Sequence, residues 1–217
     1  MKKSWEKYWS NSTNHEWWKK PAKEVVEFVS CLDNDEYKNT LDLGCGLGRH
    51  SILFAKAGFS VYAIDKSSEA IVRLNEWASQ ENCSIHSECC DIFDNRLDGQ
   101  CFDIVLSYNV IYHGYIDDFE KAVKRVHELL RSGGKFFFTC PTRDDGKYGF
   151  GEKVAEHTYL CTKSVTPGDI HYFADKNDIA GMLKGYEIEK IVKDEGTWLN
   201  SGKEQFYSNW IITAVKS

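Results

Sequence analysis

Three glycines alternate with other residues in the segment 41–49 (LDLGCGLGR), a spacing that suits ligand binding. Gly44, Gly46 and Gly48 can adopt positive φ angles and allow a ligand to approach the backbone closely. The segment joins a short apolar run to a helical pattern, and such strand–helix junctions bind ligands in open α/β sheets. A tight turn without a ligand is the alternative, although turning alone does not require three alternating glycines.

The kind of ligand is narrowed by motifs that the sequence lacks. The dinucleotide fingerprint requires a glycine three residues after Gly46, and that position is Arg49. The sequence has neither a G-x-x-x-x-G-K-[ST] phosphate loop nor a G-x-S-x-G nucleophile motif. The glycine segment therefore favours a cofactor that contains a nucleoside but no pyrophosphate.

A carboxylate at the end of the second predicted strand is placed to bind a ribose. Asp65 ends the run 60–65 (SVYAID) about 20 residues after the glycines, where an acidic residue accepts hydrogen bonds from ribose hydroxyls. A hydrogen bond to a charged group contributes about 1.5–3 kcal/mol, so we expect its loss to weaken cofactor binding tenfold to a hundredfold or more. A solvated acid at a strand end is the alternative.

The elements that must position these residues alternate between strands and helices. Apolar, β-branched and aromatic runs predict strands at 40–44, 60–65, 84–89, 102–108 and 135–140. Amphipathic patterns predict helices at 49–57, 67–80 and 117–130. Strands that alternate with such helices form right-handed crossovers and a mostly parallel, doubly wound sheet.

The last third of the sequence has a different order. A predicted helix at about 175–184 is followed by strands at 186–193 and 206–216, with only a dozen residues between the two strands. So short a connection suits an antiparallel pair that closes one sheet edge. The predicted fold class is therefore α/β: a Rossmann-like, doubly wound seven-stranded sheet, mostly parallel with an antiparallel edge strand, and helices on both faces.

Composition limits the classes of function. The 217 residues suit a single domain, and the net charge of −6 argues against binding nucleic acid. No 18-residue apolar run predicts a membrane span, and the first residues lack the apolar core of a signal peptide. We therefore expect a cytoplasmic protein whose eight cysteines are reduced thiols. The absence of a C-x-x-C pair argues against a structural zinc site.

The ordered motifs resemble those of the class I S-adenosylmethionine-dependent methyltransferases. The resemblance covers about residues 20–216 and is carried by five motifs: LDLGCGLGR, YAIDKS, CDI, FDIVLSYNVIYH and LLRSGGKFFF. Two further stretches, YNVIYHG and HYFADKNDI, look most like the small-molecule branch near the tellurite-resistance and thiopurine-type enzymes. The resemblance implies S-adenosylmethionine as cofactor, S-adenosylhomocysteine as product, and in-line methyl transfer to a small-molecule acceptor.

The resemblance also implies which residues bind the cofactor. Asp91 would accept a hydrogen bond from the adenine amino group, and helix capping is the alternative for this residue. Carbonyls of Asn109 and Val110 would face the cofactor's ammonium, while Asp42 would order the glycine loop or contact the same ammonium. The complete predicted set is Asp42, Gly44, Cys45, Gly46, Gly48, Asp65, Lys66, Cys90, Asp91, Ile92, Asn109, Val110 and Trp9.

Candidate catalytic residues come from loops near the transferred methyl group. Displacement at a sulfonium needs mainly alignment, and a general base is needed only if the acceptor loses a proton. Tyr112 and His113 follow the fourth predicted strand, and His171 with Tyr172 precedes the late helix. For His113, a hydrogen bond to backbone that only shapes the pocket is the alternative. The glycine-punctuated segment 143–150 is either a mobile flap or an ordinary connection.

Tryptophans are concentrated at the start of the sequence. Trp5, Trp9, Trp17 and Trp18 fall within the first 18 residues, among lysines that outnumber glutamates six to three in residues 1–24. Three interpretations remain open: a lid over the cofactor, a hydrophobic staple onto the sheet, or a membrane-surface helix. The predicted organisation is one methyltransferase domain, with an aromatic-rich extension or lid at 1–22 and a Rossmann-like core at 23–217.

Two other functions compete with small-molecule methyl transfer. The fold could serve as a module that binds the cofactor without turnover, or the acceptor could be a protein. Methylation of a base amino group loses support because no D-P-P-Y-like or N-P-P-Y-like tetrapeptide follows the fourth strand.

Overall fold

A computed structural model describes residues 2–11, 16–200 and 203–217. The helices are α1 (Lys2–Asn11), α2 (Glu16–Lys19), α3 (Lys23–Ser30), α4 (Arg49–Lys56), α5 (Ser68–Gln80), α6 (Ile116–Leu129) and α7 (Lys176–Met182). The strands are β1 (Asn39–Leu43), β2 (Ser60–Asp65), β3 (Ile85–Cys89), β4 (Phe102–Ser107), β5 (Leu130–Pro141), β6 (Gly151–Ala155), β7 (Thr158–Cys161), β8 (Asp169–Tyr172), β9 (Tyr186–Asn200) and β10 (Lys203–Lys216). A short 3₁₀ turn at Asn95–Leu97 lies between β3 and β4.

The main sheet has seven strands in the order β3-β2-β1-β4-β5-β10-β9. Strands β1 to β5 pair in parallel, whereas β10 is antiparallel to both β5 and β9. The predicted fold class is thereby confirmed, with the antiparallel pair closing one edge. Within that pair the reversed strand is β10, and β9 takes the outermost position.

Helices cover both faces of the sheet because successive strand residues point to opposite sides. Phe136 and Phe138 of β5 pack in one buried cluster with residues of α6 and α7. Phe137, between them, packs in a second cluster with residues of α3, α4 and α5. Full burial of a phenylalanine side chain contributes about 1.5–3 kcal/mol, so each face is a substantial apolar core.

The C-terminal hairpin is longer than the sequence predicts. Both strands extend into the expected connection of a dozen residues, and their pairing reaches Asn200 and Lys203. Pairs such as Asp194 with Asn209 continue the ladder well beyond the apolar part of the strands. Backbone hydrogen bonds between the two strands stabilise this extension, although its side chains lack a strand-like apolar pattern.

A second sheet, absent from the predicted fold, follows β5. Strands β6, β7 and β8 form an antiparallel three-stranded sheet in which Tyr159 pairs with His171. His171 and Tyr172 therefore lie on a strand, not on a loop before the late helix. The preceding segment 143–150 is a series of turns that side chains hold in place, since Arg143 forms ion pairs with Asp175 and Asp178 at 2.7 and 2.6 Å. These contacts favour an ordered connection over a mobile flap.

Within the described ranges, no helix is both long and apolar enough to cross a bilayer.

Candidate active site

A cavity of about 980 Å³ lies at the carboxyl edge of β1 to β4. Parallel strands carry their carboxyl ends to the same edge, so residues distant in sequence meet there. Of the predicted site residues, those that line the cavity are Trp9, Asp42, Gly44, Cys45, Gly46, Asp65, Lys66, Cys90, Asp91, Ile92, Asn109, Val110, Tyr112, His113 and His171. The structure thus brings together the predicted cofactor and catalytic residues, with Gly48 as the exception.

The glycine loop needs glycine for two different reasons. Gly44 has a φ of +71°, and a Cβ there would lie 2.5 Å from a methyl carbon of Val110. Gly48 precedes α4 with a φ of +87°, and a Cβ there would lie 2.0 Å from Leu74. Gly44 therefore keeps the cavity wall open, while Gly48 turns the chain into α4 and packs on α5. Gly48 does not line the cavity, so its position does not support the predicted contact with the cofactor.

Asp65 ties the glycine loop to the end of β2. One carboxylate oxygen accepts a hydrogen bond from the Gly46 amide at 2.9 Å, and the other accepts from the Ser67 amide at 2.8 Å. Burial raises the pKa of Asp65, and the two amide hydrogen bonds oppose that shift. Each carboxylate oxygen has a second lone pair, so the side chain can still accept hydrogen bonds from a ligand.

Asp42, buried in β1 before the same loop, bonds to the helix that follows the loop. Its side chain is buried, and one oxygen accepts a hydrogen bond from the Ser51 hydroxyl at 2.5 Å. Burial raises the pKa of Asp42 to about 6. Of the two predicted roles, these contacts support ordering of the local backbone, because both the hydroxyl and the backbone amide of Ser51 in α4 donate to the carboxylate.

Asn109, two residues after the end of β4, adopts a left-handed conformation with a φ of +60°. The Asn109 amide donates to the Thr139 hydroxyl oxygen at 2.8 Å, and that hydroxyl donates to the Asn109 side-chain oxygen at 2.9 Å. Backbone strain of this kind costs about 1–3 kcal/mol and is concentrated at functional sites. Thr139 of β5 thus holds Asn109 in the shape that lines the cavity.

Asp91 closes a turn and does not cap the 3₁₀ turn that follows, since the cap of Asn95–Leu97 is Asp94. One oxygen accepts a hydrogen bond from the Phe93 amide at 3.0 Å, which closes a turn after β3. The other forms an ion pair with Lys66 at 2.6 Å, between half-exposed side chains. Exposed pairs contribute about 0–1 kcal/mol, so the pair can exchange for a ligand contact at low cost.

Aromatic side chains of the N-terminal helices form part of the cavity wall. Trp9 is only 4% exposed and packs against Leu47 and Ala70, while the Trp5 ring lies 5.9 Å from the Trp9 ring. Trp18 also lines the cavity. Helix α1 docks on the start of α5, where the Ser68 hydroxyl donates to Glu6 at 2.7 Å. The fourth predicted aromatic residue, Trp17, has a side chain outside the described residues.

Two histidines meet at the far wall of the cavity. His113 follows β4 and His171 lies on β8; the two form an isolated β-bridge, with ring centroids 4.5 Å apart and nearly perpendicular planes. Burial lowers the pKa of His113 to about 4 and that of His171 well below its usual range. Both imidazoles are therefore neutral at pH 7. The neighbouring Tyr112 phenol is buried, which raises its pKa.

Arg49 contacts the N-terminal helices and the end of β4, which the sequence did not identify as its partners. Its guanidinium donates to the Lys20 carbonyl at 3.2 Å. It also lies over two aromatic rings, 5.5 Å from the Trp18 centroid and 5.2 Å from the Tyr108 centroid. Arg49 thereby connects the N-terminal helices to the end of β4, beside the cavity.

One wall of the cavity, which includes Tyr108, Asp194 and Tyr207, was not predicted from the sequence. The Tyr108 hydroxyl donates to Glu24 at 2.5 Å, and Asp194 and Tyr207 of the C-terminal hairpin line the same side. Burial raises the pKa of Asp194, and the Glu24 carboxylate adds to that shift. Tyr108 could have been identified from its position before Asn109. The hairpin residues carry no signal in the sequence, because their placement depends on the register of a long strand pair.

Comparisons with known proteins agree with this geometry. Residues 40–134 match the family model of a methyltransferase domain. A ubiquinone biosynthesis O-methyltransferase from Coxiella burnetii is 31% identical over 137 residues, which cover 63% of this chain and 56% of that relative. The chain thus spans little more than half the length of that relative.

Solved structures share the fold. TehB from Haemophilus influenzae is 20% identical with a TM-score of 0.69, over 91% of this chain and 63% of that one. The N-methyltransferase NodS from Bradyrhizobium japonicum, solved with S-adenosyl-L-homocysteine, is 16% identical with a TM-score of 0.66, over 99% and 97% of the two chains. The family match identifies a methyltransferase domain at residues 40–134, and the solved structures show that the chain shares the fold of S-adenosylmethionine-dependent methyltransferases.

Proposed function

We propose that this protein uses S-adenosylmethionine to methylate a small-molecule acceptor and releases S-adenosylhomocysteine. The observation that carries the proposal is the single cavity that joins the glycine loop, Asp65 and Asn109 to two neutral histidines. Its volume of about 980 Å³ falls within the upper range of small-molecule sites, about 300–1,000 Å³. The activities of the similar proteins, O-methyl transfer and N-methyl transfer, support the reaction type and leave the acceptor atom open.

The residues at the cavity suit this cofactor. The backbone at Gly44 and Gly46 carries no side chain that would fill the space, and Asp65 offers a carboxylate for ribose hydroxyls. Asp91 and Ile92 line the cavity and are proposed to recognise the adenine, and Asn109, with its left-handed backbone, lines the same cavity. When bound, the cofactor supplies an electrophilic methyl group on a sulfonium.

The protein's own contribution is enclosure and alignment. Trp5, Trp9 and Trp18 form the wall contributed by the N-terminal helices, and we propose that they are a lid over the cofactor. A closed wall excludes water and strengthens polar contacts inside. Holding two reactants in line removes up to about 7–11 kcal/mol of the barrier in well-oriented systems. A cavity closed in this way favours a small acceptor over a protein.

A cytoplasmic location is part of the proposal. All eight cysteines are free thiols, including the adjacent pair Cys89 and Cys90. Free thiols persist in a reducing compartment, whereas exported proteins form disulfides.

Calorimetric titration with S-adenosylhomocysteine tests the cofactor site. We expect Asp65→Asn to weaken binding at least tenfold, because the neutral amide loses the charge that strengthens hydrogen bonds to ribose hydroxyls. Asp35→Asn, at an exposed position away from the cavity, is the matched control and should bind like the wild type. Equal affinity of all three proteins would contradict the site.

Turnover is tested separately. Incubation with S-adenosylmethionine and a panel of alcohols, phenols, thiols, amines and metalloid oxyanions should yield S-adenosylhomocysteine with at least one acceptor class. Tight cofactor binding without product across the panel would instead favour a binding module without turnover.

A further inference from the structure

We propose that His113 and His171 together bind a neutral hydroxyl group of the methyl acceptor, one ring nitrogen donating to the hydroxyl oxygen and another accepting its hydrogen. The inference rests on the proposed function, because it names the acceptor class of the same cavity. It assigns the two residues to substrate recognition.

The first support is that three ring nitrogens of the pair lack hydrogen-bond partners among the described residues, although the His113 ring also hydrogen bonds to the Asn109 backbone. His171 is only 2% exposed, yet neither of its ring nitrogens has a partner among the described residues. Nδ1 of His113 is likewise buried without a partner there. Buried polar groups are nearly always satisfied in native proteins, and leaving one unmade costs free energy. Both rings line the cavity, so a bound ligand can supply the missing partners.

The second support is the charge state of the pair. Burial keeps both imidazoles neutral, so His171 offers one donor and one acceptor, while His113, whose ring hydrogen bonds to the Asn109 backbone, offers its unpartnered nitrogen. The charged groups that act on His113 oppose one another: Asp169 raises its pKa and Lys147 lowers it. Lys147 also lies 3.5 Å from Asp145. The surroundings therefore favour neither a cation nor an anion.

A hydroxyl group matches these requirements. Its single oxygen both donates and accepts, and it brings no charge into the buried wall. A carboxylate cannot donate, and an ammonium cannot accept. Each would also lose hydration without a dedicated counter-charge.

The surfaces beside the pair indicate the scaffold that carries the hydroxyl. The Tyr112 ring stacks on His113 with centroids 4.5 Å apart, and the Trp5 ring meets His113 edge-on at 5.5 Å. Val165 adds an aliphatic side chain to the same cavity. Flat apolar walls next to a polar pair suit a phenol, and we use phenol as the probe.

The test observes the histidines directly. Protein with ¹⁵N-labelled imidazoles is saturated with S-adenosylhomocysteine and titrated with phenol, anisole, benzoate and benzylammonium. We expect phenol to shift the ring nitrogens of His113 and His171 and to bind about tenfold more tightly than the other three probes, which corresponds to about 1.4 kcal/mol. His171→Phe should lose that preference, and His171→Asn should retain part of it because an amide also donates and accepts.

His86→Phe, at an exposed position on β3, is the matched control and should behave like the wild type. Binding of S-adenosylhomocysteine is measured first, by calorimetry, and should change less than twofold in His171→Phe. Phenol that shifts neither ring, or that binds no better than anisole, overturns the inference, and this arm needs no variant to fold. Preference for benzoate or benzylammonium overturns it in favour of a charged acceptor. Failure of the wild type to bind S-adenosylhomocysteine overturns the proposed function, and the inference falls with it.

Discussion

Single residues at the carboxyl edge of the sheet each hold a piece of backbone in an unusual shape. Asn109 keeps a left-handed conformation because Thr139 bonds both its amide and its side chain. Asp65 holds the loop at Gly46, and Asp42 holds the first turn of α4 through Ser51. Strain and burial are thus concentrated where a ligand has to meet backbone groups.

Asp42 makes stability depend on pH. Its pKa is about 6 in the folded protein against 3.8 for an ordinary aspartate, so the folded state binds the proton more tightly. Its ionisation therefore destabilises the fold fully above pH 6, and the penalty disappears as pH falls toward 4. We expect Asp42→Asn to raise the free energy of unfolding by roughly 1–3 kcal/mol at pH 8 and to give no gain at pH 4.

Urea unfolding of the wild type and Asp42→Asn at pH 4, 6 and 8 measures this difference. The amide oxygen can still accept from Ser51, so the contact itself is retained. A difference between the two proteins that stays constant from pH 4 to 8 would show that the carboxyl does not titrate as described.

The predictability of the site also differs residue by residue. Gly44 directly follows β1, Asp65 is the last residue of β2, and Asn109 lies two residues after β4, so identifying the strands was enough to place these residues at the cavity. Tyr207 and Asp194 reach the same cavity only through the register of the β9–β10 pair. Pairing of that kind is set by distant contacts and turn geometry, which local patterns do not encode.

Among the elements, the parallel strands and their helices could be predicted, whereas the second sheet could not. Strands β1, β2, β4 and β5 carry apolar runs because both sheet faces are covered, and such runs are visible in a sequence. Strands β6 to β8 are four or five residues long and largely lack alternation, as in GEKVA. Their pairing with one another, not their composition, stabilises them.

Helix α1 contributes Trp9 to the cavity wall. Trp9 is 4% exposed and sits 3.1 Å from the position of a Cβ on Gly46. We expect Trp9→Ala to weaken S-adenosylhomocysteine binding about tenfold, because removing a buried tryptophan costs about 3–5 kcal/mol of packing and part of that loss opens the lid. Calorimetry measures the affinity, and circular dichroism checks that the core remains folded.

Trp77→Ala on α5 is the control for that variant. Trp77 is half-buried outside the cavity, where its indole donates to Glu81 at 3.1 Å. It should leave cofactor affinity unchanged. Equal affinity in the Trp9 variant and the wild type would assign α1 to structural packing, which is the staple interpretation.

At the scale of the whole molecule, one sheet separates two apolar cores, and the cavity lies at the edge where both end. Elements from the N-terminal helices to the C-terminal hairpin contribute to its walls. A ligand bound there contacts most of the fold at once, so its binding energy is coupled to global stability.

A thermal-shift measurement tests this coupling. S-adenosylhomocysteine at a hundredfold excess over its Kd should stabilise the protein by about 2.7 kcal/mol, or roughly 5–11 °C in Tm for a chain of this size. NAD at the same concentration should give no shift, because the glycine segment lacks the dinucleotide fingerprint. A larger shift with NAD would contradict the nucleoside-without-pyrophosphate interpretation.

Strand β10 lies between β5 and β9 in the sheet although it follows both in sequence, and this affects the order in which the sheet can form during biosynthesis. Strand β5, at Leu130–Pro141, pairs with β10 at Lys203–Lys216, so some 60 residues must be translated before β5 gains its second neighbour. Domains of this kind emerge from the ribosome N-terminal part first, at about 5–20 residues per second. The nascent chain therefore exposes one flank of its central sheet for several seconds, and the wall of Asp194 and Tyr207 is assembled last. The cavity is therefore complete only once β10 has been translated and has paired with β5.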